Sequence, residues 1–296
     1  MLYRSIYIGN PAYLHLCLGQ MKIICPETNE ERGSIPIEDL GLLMLDHAQI
    51  TITHKLIQKL MEGNVVVVSC SEQHLPQGMM LPLYGHTSYS KRIREQMEVS
   101  EPLKKQLWKQ TVESKISNQR QVLISLGLES DPMGLYLKEV RSGDSTNMEG
   151  IAAQFYWKQL FGPDFYREQD AGGVNGLLNF GYSILRSIVA KAIVDTGLIP
   201  VLGIFHRNRY NPYCLADDLM EPYRPIVDKA VIQWMNAFPE NHELSIGAKA
   251  HLLKIASTDV RIEGKWHPLL VAVKVTVSSL YKCYIGEKRQ ILYPSL

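Results

Sequence analysis

The sequence predicts an α+β protein, with a small β-rich N-terminal domain followed by a larger all-α-helical C-terminal domain. Up to about residue 85, short apolar segments alternate with turn residues, which is typical of strands. After that point, apolar residues recur every three to four positions, which indicates helices. The length of 296 residues favours about two domains over one. We therefore assign the β-rich domain to residues 1–85 and the helical domain to residues 86–296.

In the first domain, Gly and Pro residues separate the apolar segments, and one short helix interrupts them. The predicted strands cover residues 4–8, 13–18, 22–25, 65–70 and 79–84, and the predicted helix covers residues 53–61. This order predicts a small sheet with a helix packed against it.

In the second domain, periodic segments are separated by breaks such as Gly162-Pro163, Gly172-Gly173 and Phe238-Pro239. Beyond a helical region at residues 86–124, the predicted helices cover residues 134–140, 146–160, 175–195, 214–235, 244–255 and 268–284. Charged residues, a glycine and a proline interrupt the most apolar region, residues 184–205, and a membrane span needs about 20 mostly apolar residues. We therefore expect no transmembrane helix.

The composition and the N-terminal residues exclude some classes of protein. The 31 basic and 30 acidic residues give a net charge of +1, so any nucleic-acid contact must come from local charge. The 5 cysteines lack CxxC spacing, which argues against a disulfide framework and a structural zinc site. The N-terminal residues do not resemble a secretory signal. We expect a cytoplasmic protein.

Polar residues in otherwise apolar segments are the candidates for chemistry. Glu149 begins a predicted helix after two plausible capping residues, Asp144 and Ser145. Asp217, Asp218 and Glu221 are spaced so that a helix would place their carboxylates on one face. A cation among them would relieve their repulsion, and carboxylates with one imidazole, from His206, suit Mg²⁺ or Mn²⁺.

Each of these features also has a purely structural interpretation. His206 alone would more often be a hydrogen-bonded histidine in a core or turn, and acidic residues near a helix N-terminus often form a solvated face. Residues 91–120 contain eight basic and four acidic residues, which suits either phosphate contacts or a solvated face. Phe155, Trp157 and Tyr182 are interpreted as core residues.

Three ordered segments of the chain resemble the integrase family of CRISPR adaptation systems. They are residues 175–185 (NGLLNFGYSIL), residues 197–206 (GLIPVLGIFH) and residues 214–228 (CLADDLMEPYRPIVD). The division into a β-rich and a helical part is similar to that family as well, and the chain looks most like the forms found in type II systems.

The resemblance implies that Glu149, His206 and Glu221 bind the catalytic Mg²⁺ or Mn²⁺. It gives Asp218 a supporting acidic role, gives Arg224 a position near phosphate and makes Arg207 a DNA-binding or supporting residue. The loop that begins at Arg207 lacks the glycines of many family members. The implied reaction joins the 3′ hydroxyl of a captured DNA fragment to CRISPR repeat DNA by transesterification. Nuclease activity on DNA is the implied side reaction.

The resemblance also implies a homodimer formed through the N-terminal domain, bridged by a small partner protein of the adaptation complex, with no membrane association. Two other functions remain possible from the residues. One is a purely hydrolytic metal-dependent phosphodiesterase acting on RNA or DNA. The other is a DNA-binding scaffold without enzymatic activity.

Overall fold

A computed structural model describes residues 4–83, 86–168, 172–240 and 242–296. The chain divides into two compact units, Met1–Gly85 and His86–Leu296. The first is rich in strands and the second is mostly helical, which confirms the predicted fold class. The last strand predicted for the first unit, over residues 79–84, was placed too late: the structure has a strand at Pro76–Met80, and residue 84 lies outside the described residues.

The N-terminal unit is built from strands and one α-helix, which connects two of them. Its elements are β1 (Arg4–Ile8), β2 (Ala12–Cys17), β3 (Gln20–Ile24), β4 (Glu31–Pro36), β5 (Leu40–Leu45), β6 (Ile50–Ile52), α1 (His54–Glu62), β7 (Val66–Cys70) and β8 (Pro76–Met80). One sheet has the order β1-β5-β7-β8, in which β7 and β8 pair antiparallel and the other neighbours pair parallel. A second sheet has the order β4-β3-β2-β6.

The two sheets and α1 share an apolar core. Leu14 from β2, Leu43 from β5 and Leu56 and Leu60 from α1 have no solvent exposure. Helix α1 begins where the side chain of Thr53 accepts a hydrogen bond from the backbone N–H of Leu56, the usual arrangement of an N-cap threonine. The amphipathic helix therefore covers the sheets with its leucine face.

The C-terminal unit consists of helices and one hairpin. Its elements are α2 (Tyr89–Met97), α3 (Glu101–Ser125), α4 (Asp131–Glu139), α5 (Met148–Phe161), α6 (Val174–Asp195), α7 (Cys214–Met220), α8 (Arg224–Ala237), α9 (Ile246–Leu253), β9 (Asp259–Ile262), β10 (Lys265–Pro268) and α10 (Leu269–Tyr284). The antiparallel pair β9-β10 was not predicted, because two four-residue strands are too short to give a clear alternating pattern.

Helix α6 is the central helix of this unit and packs against α7, α8, α9 and α10. It is long and apolar enough to cross a membrane, but 83% of its most apolar stretch is buried inside the protein. Gly181 allows α8 to approach α6, since a Cβ atom at this position would lie 2.4 Å from Cγ1 of Val227. The burial of the apolar stretch of α6 is typical of a helix in the core of a globular protein.

The predicted helix over residues 214–235 is interrupted in the structure. Helix α7 ends at Met220, a short 3₁₀ helix covers Glu221–Tyr223, and α8 follows. Pro222 explains the interruption, because proline has no N–H to donate and its ring clashes with the preceding turn. Glu221 therefore does not continue the regular helix that carries Asp217 and Asp218.

Candidate active site

Lys115 joins two of the predicted metal ligands. Its Nζ lies 2.7 Å from Oε1 of Glu149 and 2.6 Å from Oε2 of Glu221. Lys115 and Glu221 are buried, and the Glu149 side chain is about one-fifth exposed. The structure thus brings Glu149 and Glu221 to a common point, which an ammonium group occupies.

Different local features position the three residues. Lys115 lies in the middle of α3, on the face that packs against α5 and the 3₁₀ helix at Glu221–Tyr223. Glu149 is in the first turn of α5, where Asp144 accepts hydrogen bonds from the backbone N–H groups of Met148 (2.9 Å) and Glu149 (3.0 Å). The prediction that Asp144 caps this helix is confirmed.

His206 is held by a buried carboxylate. Its Nδ1 lies 2.5 Å from Oδ1 of Asp218, which has no solvent exposure. The other oxygen of Asp218 accepts hydrogen bonds from the backbone N–H groups of Ile204 (2.6 Å) and Phe205 (2.9 Å). An ionised carboxylate can only accept, so in the neutral imidazole Nδ1 carries the proton and Nε2 keeps its lone pair.

Gly203 permits the tight loop that precedes His206. A Cβ atom at Gly203 would lie 2.4 Å from the backbone oxygen of His206 and 2.8 Å from Oδ2 of Asp218. Backbone atoms cannot move aside as a flexible side chain does. The glycine in the sequence GLIPVLGIFH is therefore required by the fold of the loop.

The site's charges shift several pKa values. Burial alone would raise the pKa of Glu221, but the positive charges of Arg224 and Lys115 outweigh it and hold this pKa below its usual range. Burial would lower the pKa of Lys115, yet Glu221 and Glu149 together hold it above its usual value. The pKa of His206 is raised, mainly by its hydrogen bond to Asp218, with smaller contributions from the charges of Glu221 and Glu149.

The charges of both glutamates are among the smaller causes of the raised pKa of His206. The pKa of Asp218 is itself raised, because burial outweighs the hydrogen bonds that the carboxylate accepts. Lys115 and Arg224 thus join Glu149 and Glu221 in one charged cluster, whereas His206 is paired with Asp218.

The other predicted residues have separate partners. Arg224 Nε lies 2.8 Å from Oε1 of Glu221, and its guanidinium lies over the ring of Tyr182 at 4.6 Å. Asp217 pairs with Arg186 (2.7 Å) and accepts a hydrogen bond from the side chain of Asn211 (2.6 Å). Arg207, which was predicted to be a supporting residue, forms an ion pair at the surface with Glu101.

The acidic residues of this region do not form a solvated helix face. Asp217, Asp218 and Glu221 are only 7%, 0% and 4% exposed. Sequence reasoning placed all three carboxylates around one cation, whereas the structure gives each of them its own partner. It also missed Lys115, because one buried lysine looks like the other basic residues of α3 when only the sequence is available.

The cluster has the donor set that a hard divalent cation prefers, two carboxylates and an imidazole. Oε2 of Glu221 is buried without an aligned hydrogen bond, although it lies near Lys115, so it retains the capacity to bind a cation. Within the part of the chain that the structure describes, no three His, Cys, Asp or Glu side chains already converge as a metal site would require. The ligand assignment to Glu149, His206 and Glu221 stays a prediction.

Comparisons with known proteins define the class of the chain. The family model of the CRISPR associated protein Cas1 matches residues 7–241. The CRISPR-associated endonuclease Cas1 of Neisseria meningitidis is 38% identical over 300 residues, which covers 100% of this chain and 97% of that protein. The chain is thus a CRISPR-associated protein.

The chain belongs to the Cas1 family. Solved structures share its fold at lower sequence identity. A casposase bound to an integration product superposes with a TM-score of 0.81 at 21% identity, covering 98% of this chain and 92% of that chain. A chain of a Cas6-RT-Cas1–Cas2 complex gives a TM-score of 0.76 at 19% identity, covering 100% of this chain and 36% of that chain.

Proposed function

We propose that the protein is a divalent-metal-dependent DNA endonuclease and integrase of CRISPR adaptation. The observation that carries this proposal is the convergence of Glu149 and Glu221 at Lys115. Membership of the Cas1 family and the endonuclease name of the Neisseria relative support the reaction class.

The reaction would join a free DNA 3′ hydroxyl to a phosphodiester of the CRISPR repeat. A new phosphorus–oxygen bond forms, the repeat strand's own 3′ oxygen leaves, and no covalent enzyme intermediate is needed. Attack by water in place of the hydroxyl gives hydrolysis, so one site accounts for joining and for cleavage. The bond count is unchanged during joining, which therefore needs no external source of energy.

Glu149, His206 and Glu221 would hold Mg²⁺ or Mn²⁺. When bound, the metal lowers the pKa of the attacking hydroxyl and neutralises charge on the phosphate. Asp218 fixes the tautomer of His206, so that Nε2 remains a ligand. Arg224 supplies a permanent positive charge beside Glu221, and we propose that it also orients the phosphate.

We further propose that the protein acts as a homodimer together with a small partner protein and binds the captured fragment and the repeat. The Cas1–Cas2 complex and the DNA-bound casposase among the structural neighbours support these partners. Integration at both ends of a repeat requires two active sites, which makes such an assembly reasonable. DNA contacts would be mostly to phosphate and hence sensitive to salt.

Strand transfer tests the proposal. The protein and its partner are incubated with a labelled duplex bearing 3′ hydroxyls, a supercoiled plasmid carrying a repeat, and Mg²⁺ or Mn²⁺. Label should enter the plasmid only with metal, and Glu149→Ala should abolish it, because one of the two converging carboxylates is removed. Glu129→Ala, at an exposed position between α3 and α4, should react at the wild-type rate.

The outcomes separate the alternative functions. Cleavage of the plasmid without joining would make the purely hydrolytic phosphodiesterase the better description. Full activity of Glu149→Ala would overturn the site assignment and favour a scaffold whose acidic cluster serves only stability.

A further inference from the structure

Two prolines remove backbone hydrogen-bond donors next to Glu221. Pro222 lies in the short 3₁₀ helix Glu221–Tyr223, which we call the Glu221 turn, and Pro225 lies in the first turn of α8. In a regular α-helix, the carbonyl of Glu221 would accept a hydrogen bond from the N–H group four residues later, which Pro225 lacks. It accepts one instead from the N–H group of Arg224. The position of Glu221 therefore depends on the side chains that pack against this turn.

Asn118 on α3 is one of these side chains. It is buried, and its Nδ2 donates hydrogen bonds to the backbone oxygens of Pro222 (2.8 Å) and Pro294 (3.0 Å). Asn118 follows Lys115 by three residues, so the two side chains lie on the same face of α3. Helix α3 thus binds the Glu221 turn twice, through the side chain of Glu221 at Lys115 and through the backbone at Asn118.

Thr276 on α10 binds the same turn from a second helix. Its Oγ1 lies 2.6 Å from the hydroxyl group of Tyr223, and both residues are buried. The hydroxyl group of Thr276 also donates a hydrogen bond to the backbone oxygen of Leu292, at 2.6 Å. A threonine hydroxyl has only one proton, so Tyr223 is the donor in the bond between them. Thr276 therefore connects the Glu221 turn with the backbone at Leu292.

Asn118 and Thr276 both connect the Glu221 turn with the C-terminal segment, residues 289–295. The backbone of this segment is also anchored to α3, α10 and β9 by hydrogen bonds that do not involve Asn118 or Thr276. The anchors are the side chains of Gln110 and Ser279 and the backbone oxygen of Arg261. The C-terminal segment is thus fixed well enough to support the Glu221 turn.

We propose that Asn118 and Thr276 are positioning residues, which hold Glu221 in place when a divalent ion replaces Lys115 at its carboxylate. Metal binding would remove the ion pair that joins α3 to the side chain of Glu221. The hydrogen bonds of Asn118 and Thr276 reach the backbone and Tyr223, so they would remain. Groups that orient a metal ligand contribute to metal affinity without touching the metal. The proposal rests on the proposed function, because Glu221 is a ligand only if the site binds metal.

Binding of Mn²⁺ to the full-length protein, followed by the electron paramagnetic resonance signal of free Mn²⁺, tests the proposal. Thr276→Val keeps the shape of the side chain and removes its hydroxyl group. It should weaken Mn²⁺ binding about tenfold, as expected for the loss of a group that orients a metal ligand. Thr276→Ser keeps the hydroxyl group and should bind Mn²⁺ as the wild-type protein does.

Ser279→Ala is the control for Thr276→Val. Ser279 lies one turn further along α10 and accepts a hydrogen bond from the backbone N–H group of Leu292, at 2.8 Å. Within the described part of the chain, its side chain makes no hydrogen bond to the Glu221 turn. Ser279→Ala should therefore leave Mn²⁺ affinity unchanged, although the C-terminal segment loses an anchor.

Asn118→Leu and Gln110→Leu form a second pair of variants on α3. Each loses two hydrogen bonds to backbone groups, but those of Gln110 both go to the C-terminal segment, at Arg289 and Ile291. Only Asn118→Leu should weaken Mn²⁺ binding, by about tenfold. Thermal unfolding in EDTA identifies the temperature range in which every variant is folded.

Wild-type Mn²⁺ affinity of both Thr276→Val and Asn118→Leu would overturn the proposal. Equal losses in the control variants would also overturn it, because they would reflect general loosening of the C-terminal segment. A wild-type protein that binds no Mn²⁺ would leave no metal ligand to position and would have the same effect.

Strand transfer by the wild-type protein separates these results from the proposed function. If Asn118 and Thr276 have no effect on Mn²⁺ binding while joining still depends on Glu149, the positioning role is wrong and the integrase stands. If Mn²⁺ binding follows the expected pattern but no DNA is joined, the positioning role stands and the integrase is wrong.

Discussion

Lys115 occupies the position between two carboxylates where a cation was predicted. Its ammonium group neutralises Glu149 and Glu221 in a buried setting, and Arg224 supplies a second positive charge to Glu221. Buried carboxylates without a counter-charge are costly. Lys115 therefore stabilises the cluster and competes for the oxygens that a divalent ion would bind.

Replacing Lys115 by methionine keeps most of the apolar side chain and removes the charge. Without metal, Lys115→Met should lower the free energy of unfolding by about 3–5 kcal/mol, the usual cost of breaking a buried ion pair. Because the competing cation is gone, Mn²⁺ should bind at least about tenfold more tightly. Thermal unfolding in EDTA and in a Mn²⁺ titration measures both effects.

Lys109→Met serves as the control, since Lys109 pairs with Glu113 and both side chains are partly exposed, at 40% and 37%. It should change neither quantity appreciably, because exposed ion pairs contribute little. Weaker Mn²⁺ binding by Lys115→Met than by the wild-type protein would show that Lys115 supports the metal site rather than competing with it.

At this scale, sequence reasoning could identify residues with distinctive chemistry but not all of their partners. Glu149, His206 and Glu221 stand out because polar side chains interrupt apolar segments. Lys115 does not, because it is one of several basic residues on α3, and only tertiary packing shows that it is buried. Asp218 accepts the hydrogen bonds that hold the loop at His206. In the sequence, nothing distinguishes its carboxylate from those of Asp217 and Glu221.

At the scale of elements, the interruption after α7 determines where the carboxylates point. The periodicity of residues 214–235 predicted a continuous helix, but α7 ends at Met220, two residues before Pro222. Helix α8 begins directly after the short 3₁₀ helix, so the apolar pattern continues across the break. Periodicity alone cannot detect such a change of helix type, whereas the proline marks it.

The close contact of α6 and α8 at Gly181 determines whether an alanine at this position raises or lowers the unfolding free energy. In an ordinary helix, Gly→Ala stabilises by about 1 kcal/mol. Gly181→Ala should instead destabilise the protein by about 1–3 kcal/mol, because the added methyl group overlaps Val227. Chemical denaturation of the full-length protein gives the difference in unfolding free energy.

Val227→Ala provides the matching second variant. Combining it with Gly181→Ala should restore part of the lost stability, giving a favourable coupling energy in the double-mutant cycle. Additive effects of the two substitutions, or stabilisation by Gly181→Ala alone, would mean that α6 and α8 do not pack as closely as described.

At the scale of the whole helical unit, a buried carboxylate joins three helices. Asp228 on α8 accepts hydrogen bonds from the hydroxyl groups of Tyr156 on α5, at 2.9 Å, and of Tyr182 on α6. Burial raises the pKa of Asp228 to about 7, although both hydrogen bonds and Arg224 oppose the rise. The prediction that Tyr182 belongs to the core is confirmed by its 6% exposure.

This raised pKa makes stability depend on pH. The folded protein holds a proton on Asp228 that the unfolded chain releases near pH 4, so the contribution of Asp228 is most favourable in acid and declines as the pH rises from about 4 to about 7. Asp228→Asn cannot lose this proton. The decrease in unfolding free energy between pH 5 and pH 8 should therefore be smaller in this variant, by an amount on the order of a few kcal/mol.

Urea unfolding of both proteins at the two pH values measures the difference, and contributions of other titrating groups cancel in the comparison. Identical pH dependence of the two proteins would show that Asp228 has an ordinary pKa. A steeper decrease in the variant would reverse the sign assigned to the buried carboxylate.

The overall division of the chain was accessible from the sequence because strands and helices differ in the period of their apolar residues. Helices α1, α5 and α6 were predicted to within a few residues. Strands β4 and β5 were missed, since β4 is largely polar and β5 is almost entirely apolar, so neither alternates. The pairing order of the sheets depends on contacts between distant segments, which no local pattern carries.

The packing of α6 has a consequence for how the protein is made. The main contacts of this helix are with α7, α8, α9 and α10, all of which follow it in the sequence. A ribosome therefore releases residues 174–195 well before the segments that cover them. Until α10 has been synthesised, the nascent chain carries an apolar segment long enough to resemble a membrane span. A translation product that stops before residue 214 would lack all four helices that cover this segment, would expose it permanently and would become a substrate for chaperones and proteases.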